Sequence, residues 1–105
     1  MEMIDLQSDS LQQEIDNNEK VIVQYGAGWC GNCRIIKPKF KRLATENTDI
    51  KFIYVDAEKL PLSRALAEVK NLPTFAGFKN GKIVAQSAGN KVEVINTVLD
   101  EIAAN

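Results

Sequence analysis

The sequence predicts an α/β fold in which a mixed central β-sheet carries helices on both faces. Three observations lead there. Runs of β-branched and apolar residues alternate with stretches of helical periodicity through the first part of the chain, which implies β-α-β connections and parallel pairing. Two further strand-like runs then meet at Lys79-Asn80-Gly81-Lys82, and Asn-Gly between such runs is the strongest local hairpin signal. A last amphipathic segment closes the sequence. A length of 105 residues, 45% of them hydrophobic and 26% charged, fits a single domain over 1–105 with one compact body.

Taken in order, a short strand is expected near Met3 to Leu6. Ser8-Asp9-Ser10 ahead of Leu11, Glu14 and Ile15 marks a first helix, with Ser10 and Gln13 at capping-box spacing. Val21-Ile22-Val23-Gln24-Tyr25 reads as a strand buried on both faces. Glycines at 26, 28 and 31 then break the regularity around Trp29 and Cys30. From Arg34 to about Asn47, the residues Ile36, Phe40, Leu43 and Ala44 recur at helical spacing. Pro38 removes one backbone bond there, to the Arg34 carbonyl, which predicts a kink rather than an end.

Ile50 to Val55 is the next strand. Pro61 suits a first helical position, and Leu62, Ala65, Leu66 and Val69 form one apolar stripe after it. Thr74 to Phe78 and Ile83 to Ala88 are the hairpin strands. Asn90 is placed to cap the final helix with Glu93 at its third position, and Ile95, Val98, Leu99 and Ile102 make that helix's buried face.

Composition removes whole classes of chemistry. The chain has no histidine, so Ser-His-Asp triads, Cys-His pairs and His-ligated metals cannot be built. Thirteen basic and 14 acidic residues give a net charge of −1 with no block of like charge, hence no electrostatic reason to expect nucleic acid or an anionic membrane as partner. Met1-Glu2-Met3-Ile4-Asp5-Leu6 has neither the basic nor the apolar region of a secretory signal. The longest apolar run falls far short of the ~20 residues a membrane helix needs. A reducing cytoplasm is the expected location.

The chemistry then falls to two cysteines, Cys30 and Cys33. A thiol is nucleophilic as its thiolate, and a helix N-terminus stabilises that anion through unpaired N–H groups and the helix dipole. Cys30 lies where loop gives way to helix, and Cys33 follows by about one turn, on the same side. Two sulfurs so placed can form a small-ring disulfide that opens and closes reversibly. Other readings of the pair are two core cysteines, half of a zinc site completed by a second chain, a dimer bridging an iron–sulfur cluster, and a structural disulfide.

Trp29-Cys30-Gly31-Asn32-Cys33 resembles the active-site motif of the thioredoxin family, one residue away from its usual Trp-Cys-Gly-Pro-Cys. The likeness runs on through Pro38 in the active-site helix, Asp56 at the end of the third strand, Leu72-Pro73-Thr74 at the cis-proline segment, Phe78-Lys79-Asn80-Gly81 at the hairpin, and Gly89. It implies a thioredoxin fold and a protein dithiol–disulfide oxidoreductase. Cys30 would attack a substrate disulfide and Cys33 would resolve the mixed disulfide. Pro73 would be cis, exposing the Leu72 backbone, and Trp29, Gly31, Asn32, Leu72, Pro73 and Gly89 would line the substrate groove. The resemblance also implies no bound cofactor beyond the redox-active Cys30–Cys33 pair. It implies protein disulfides as substrates, recharging by a flavin- and nicotinamide-dependent thioredoxin reductase, and a monomer serving electron transport and cell redox homeostasis.

The sequence leaves that pattern at four positions. Asn32 replaces proline and adds a backbone N–H near the sulfurs, which should favour the thiolate and make the pair more oxidising. Gln24 stands where the family usually has a buried aspartate; unable to titrate, it should modulate Cys33 by slowing resolution near neutral pH, or else be a buried polar residue satisfied by hydrogen bonds. Gly26 replaces a common aromatic residue and should leave a smaller or looser wall beside the active-site loop. Phe52 replaces a common lysine, so acid and cation are lost together. A dedicated oxidase or isomerase, or a binding subunit with incidental redox chemistry, are the alternative functions.

Overall fold

The computed structural model describes residues 2–104; of the domain expected over 1–105, only the two terminal residues lie outside it. The elements are β1 (Ile4–Asp5), α1 (Leu11–Asn17), β2 (Lys20–Gly26), α2 (Gly31–Glu46), β3 (Lys51–Asp56), α3 (Pro61–Arg64), β4 (Thr74–Lys79), β5 (Lys82–Ala88) and α4 (Val92–Ala103). The strands form one sheet in the order β1-β3-β2-β4-β5. β3 is parallel to β1 and β2, whereas β4 pairs antiparallel with both β2 and β5, so the sheet is mixed as expected.

Strand alternation divides the core in two. Val21, Val23 and Tyr25 of β2 point to one side, where they meet Leu11 and Ile15 of α1. Ile22 points to the other side and joins Ile36, Phe40 and Ala44 of α2 with Ile95, Val98, Leu99 and Ile102 of α4. Each of these side chains stabilises the fold by roughly 1.5–3 kcal/mol when fully buried, Ala44 excepted. Both faces of β2 are therefore lost to solvent, which explains its unbroken apolar sequence. At the hairpin, Asn80 and Gly81 have φ of 53° and 84°, the left-handed pair that a tight primed turn requires.

Three local expectations are corrected. Ser10 precedes α1 without a side-chain cap, because its hydroxyl turns to Ser8. The amide of Leu11 instead donates to Ser63 Oγ at 3.3 Å, and Asp9 caps the start of α3 by accepting from Leu62 N at 2.9 Å and Ser63 N at 2.7 Å. The stripe after Pro61 does not form, since α3 is only four residues long. Leu62 (72% exposed) and Ala65 face solvent, and only Leu66 and Val69 reach the core. Finally, α4 begins after Lys91 with no side-chain cap, and Asn90 is engaged elsewhere.

Candidate active site

β2 ends at Gly26 and the chain turns through Ala27-Gly28-Trp29 before α2 starts at Gly31. Cys30 is the N-cap of this 16-residue helix, and its Sγ accepts the Cys33 N–H at 3.2 Å. Cys30 and Cys33 form a disulfide, with Cα atoms 5.3 Å apart. A sulfur at this position faces the unpaired amides of the helix start, which stabilise negative charge on Cys30 once the bond opens. Both are buried, Cys30 at 5% exposure and Cys33 at 1%.

Around the sulfurs, Ala27, Cys30, Cys33 and Leu72 pack as one small apolar cluster. The Leu72–Pro73 peptide bond is cis, as the resemblance implied. Pro73 itself is buried, and its carbonyl accepts from Gly89 N at 3.1 Å, at a glycine with φ of 140°. Trp29 is 67% exposed, and Gly31 and Asn32 are also at the surface. Asn32 Oδ1 accepts from Asn90 Nδ2 at 3.1 Å, tying the cysteine turn to the loop that follows Gly89. Spacing alone gave no sign of this contact, since the two residues are 58 positions apart. Among the described residues no hydrogen bond runs from the Asn32 N–H to a sulfur; the donor to Cys30 is the Cys33 amide, which a proline at 32 would also leave free.

Gln24 lies on the α2 face of β2, fully buried, and its Nε2 donates to the Cys33 carbonyl at 3.2 Å. Its Oε1 has no hydrogen-bond partner among the described residues. Phe52 is buried against Phe40 at a ring separation of 4.9 Å, so this position brings no cation beneath the site. The wall at Gly26 is not loose. A Cβ there would stand 2.5 Å from Tyr54 Oη and 3.0 Å from two of its ring carbons, because Tyr54 fills the space from β3. Burial, with Asp56 and Asp5 nearby, raises the Tyr54 hydroxyl above its ordinary pKa and keeps it neutral. Asp56 closes β3 by accepting the amides of Glu58 and Lys59.

A disulfide between residues 30 and 33 at a helix N-terminus, beside a cis-proline segment, defines a thiol–disulfide exchange site on a mixed α/β sheet. The comparisons with known proteins carry this further. The thioredoxin family model matches residues 2–101. Thioredoxin-3 of Dictyostelium discoideum is 32% identical over 91 residues, covering 84% of this chain and 88% of that one. Rabbit (Oryctolagus cuniculus) thioredoxin is 34% identical over 95 residues, covering 89% and 90%. The oxidised thioredoxin from Plasmodium falciparum superposes with a TM-score of 0.85 at 27% identity, over 97% of this chain and 99% of that one. The chain belongs to the thioredoxin family, has its fold, and is a protein disulfide oxidoreductase.

Proposed function

We propose that the whole chain works as one domain in which Cys30 is the attacking sulfur and Cys33 the resolving one. In the reduced protein the Cys30 thiolate attacks one sulfur of a substrate disulfide, and the other substrate sulfur leaves and takes a proton. Cys33 then gives up its proton and attacks Cys30, which expels the second substrate thiol and leaves the Cys30–Cys33 disulfide. The substrate gains two electrons and the protein loses two. The observation that carries this order is the position of Cys30 at the N-cap of α2, more open than Cys33 and bonded to a helix-start amide. Trp29, Gly31, Asn32, Leu72, Pro73 and Gly89 surround the pair as its docking groove, with the Leu72 backbone offered to an extended substrate segment. Gln24 modulates the step at Cys33 from below.

The same reading makes the protein a general disulfide reductase in a reducing compartment such as the cytoplasm, where it passes electrons from a flavin- and nicotinamide-dependent reductase to protein disulfides as a monomer. The redox-active pair needs no bound cofactor for this. Dithiothreitol-driven insulin reduction tests it with single serine variants. Cys33→Ser should attack but not resolve, accumulating a mixed disulfide that reductant releases. Cys30→Ser should form none. A mixed disulfide on Cys33 in the Cys30→Ser variant would reverse the roles, and biological function surviving in the double serine variant would select a binding subunit instead.

A further inference from the structure

The charge of this chain is segregated in a way that the net value of −1 conceals. Residues 1–19 hold six acidic side chains and no basic one, whereas α2 holds Arg34, Lys37, Lys39, Lys41 and Arg42 against the single acid Glu46. Among the described residues only Lys37 of these five cations has an ion-pair partner, Asp5 at 2.9 Å. Arg34, Lys37 and Lys41 are spaced three and four apart, so they share one face of the helix. With Met3, Asp5 and Pro38 they line a cavity of about 500 Å³ that starts at the residue after Cys33. Lys37 is held in its middle, between Asp5 and the Tyr54 ring, whose centroid is 3.9 Å from Nζ. Arg34 and Lys41 are exposed at its two ends.

The groove thus has apolar patches at Met3 and Pro38, a neutralised centre, and a free cation at either end. Its dimensions select among anions. Seven residues of helix separate Arg34 from Lys41 by about 10 Å. That exceeds the reach of one phosphate group, but matches two carboxylates three residues apart on a polyproline II segment, whose three-residue turn puts both on one side at ~3.1 Å per residue.

We propose that this face of α2 docks an acidic protein segment, so that the preferred substrates are disulfides flanked by two Asp or Glu side chains about three residues apart. The proposal rests on Cys30 as the attacking sulfur and adds a second contact outside the groove of Trp29, Leu72 and Pro73. Two peptides with one common disulfide loop, one flanked by Glu-x-x-Glu and the other by Lys-x-x-Lys, provide the test. The measurement is the second-order rate constant of reduced protein with each peptide, and the ratio of the two within one variant cancels any effect of a substitution on the thiols themselves. At an ionic strength of about 20 mM the acidic peptide should react about ten-fold faster. That preference should shrink to less than about two-fold at 0.5 M salt, where the screening length falls below the size of the groove. In the Arg34→Glu, Lys41→Glu variant it should invert.

A ratio near one in the unmodified protein, or a ratio that survives the double charge reversal, overturns the proposal while leaving the oxidoreductase reading intact. Failure to reduce either peptide removes both. Retention on phosphatidylglycerol vesicles at 0.15 M salt without a peptide preference, or a salt-sensitive dimer abolished by Lys41→Glu, would assign the groove to a lipid surface or to a second copy and so overturn it too.

Discussion

Gln24→Asp restores the carboxylate usual in the family to a chain that has lost its surroundings. Gln24 is fully buried beneath Cys33; among the described residues its side chain's one hydrogen bond runs from Nε2, and its Oε1 is already unpartnered. The nearby cation Lys37 is committed to Asp5 and the Tyr54 ring, and Phe52 occupies the position where a lysine could have answered a buried charge. An aspartate introduced here would be desolvated without a counter-charge, which raises a carboxyl by roughly 3 units or more. At 1.36 kcal/mol per unit that amounts to about 4 kcal/mol, a large share of the ~5–15 kcal/mol of a typical domain.

The sign follows from the direction of that shift. Below the unfolded pKa of about 3.9 the carboxyl is neutral in both states and the variant has its greatest stability relative to wild type. As pH rises towards a folded pKa near ~7, only the unfolded chain releases its proton, and about 1.4 kcal/mol is lost per pH unit. Urea unfolding from pH 4.5 to 8 should therefore show the Gln24→Asp midpoint falling by about 1 M or more between pH 5 and 7 relative to wild type, given slopes of ~1–3 kcal/mol per M. Single-turnover resolution by Cys33 should become faster only as pH rises through about 7, because the folded aspartate is then ionised and can accept its proton. A midpoint that tracks wild type at every pH would refute the reasoning, since it would mean that water or a cation reaches position 24.

Three further outcomes follow from the packing. Gly26→Ala sets a methyl against Tyr54 Oη at 2.5 Å and should cost about 1–3 kcal/mol, or several degrees in Tm per kcal/mol; Tyr54→Phe should recover part of it, and an equal loss in both backgrounds would contradict the contact. Asp9 is opposed by desolvation, which alone would raise its carboxyl, but bonds from Ser63 and Leu62 hold it below the ordinary value. Its contribution is thus present above the unfolded carboxylate pKa and fades as pH falls through the folded one, so Asp9→Ala should flatten the acid limb of the stability profile, and an unchanged limb would count against the cap. Trp29→Ala, at a side chain 67% exposed, should leave stability within about 0.5 kcal/mol yet slow insulin reduction several-fold. An equal slowing with a small disulfide such as hydroxyethyl disulfide would mean that Trp29 acts on the sulfurs and not on docking.

What was legible in the sequence was whatever a few neighbouring residues decide. Val21 to Tyr25 is a two-sided strand because every side chain in it is buried, and Asn80-Gly81 turns a hairpin because both residues accept positive φ. Cys30 and Cys33 were readable as a pair for the same reason: three positions on a helix start fix their approach without help from elsewhere. Where a contact is made by distant segments, spacing misled. Ser10 and Asn90 have the right neighbours for capping, yet the amides they would serve are satisfied by other means, or the residue is drawn away by a group 58 positions distant. Gly26 looked like a gap because a missing side chain leaves one locally, but β3 runs parallel to β2 and places Tyr54 in it. The cations of α2 looked dispersed because polar and apolar residues intervene, whereas the 3.6-residue turn lines up Arg34, Lys37 and Lys41 beside the disulfide. The reactive atoms of this protein are therefore a local device, while their surroundings (the uncharged Gln24, the Tyr54 wall, the Asn32–Asn90 tie, the basic groove) are written in pairs of residues that only folding brings together.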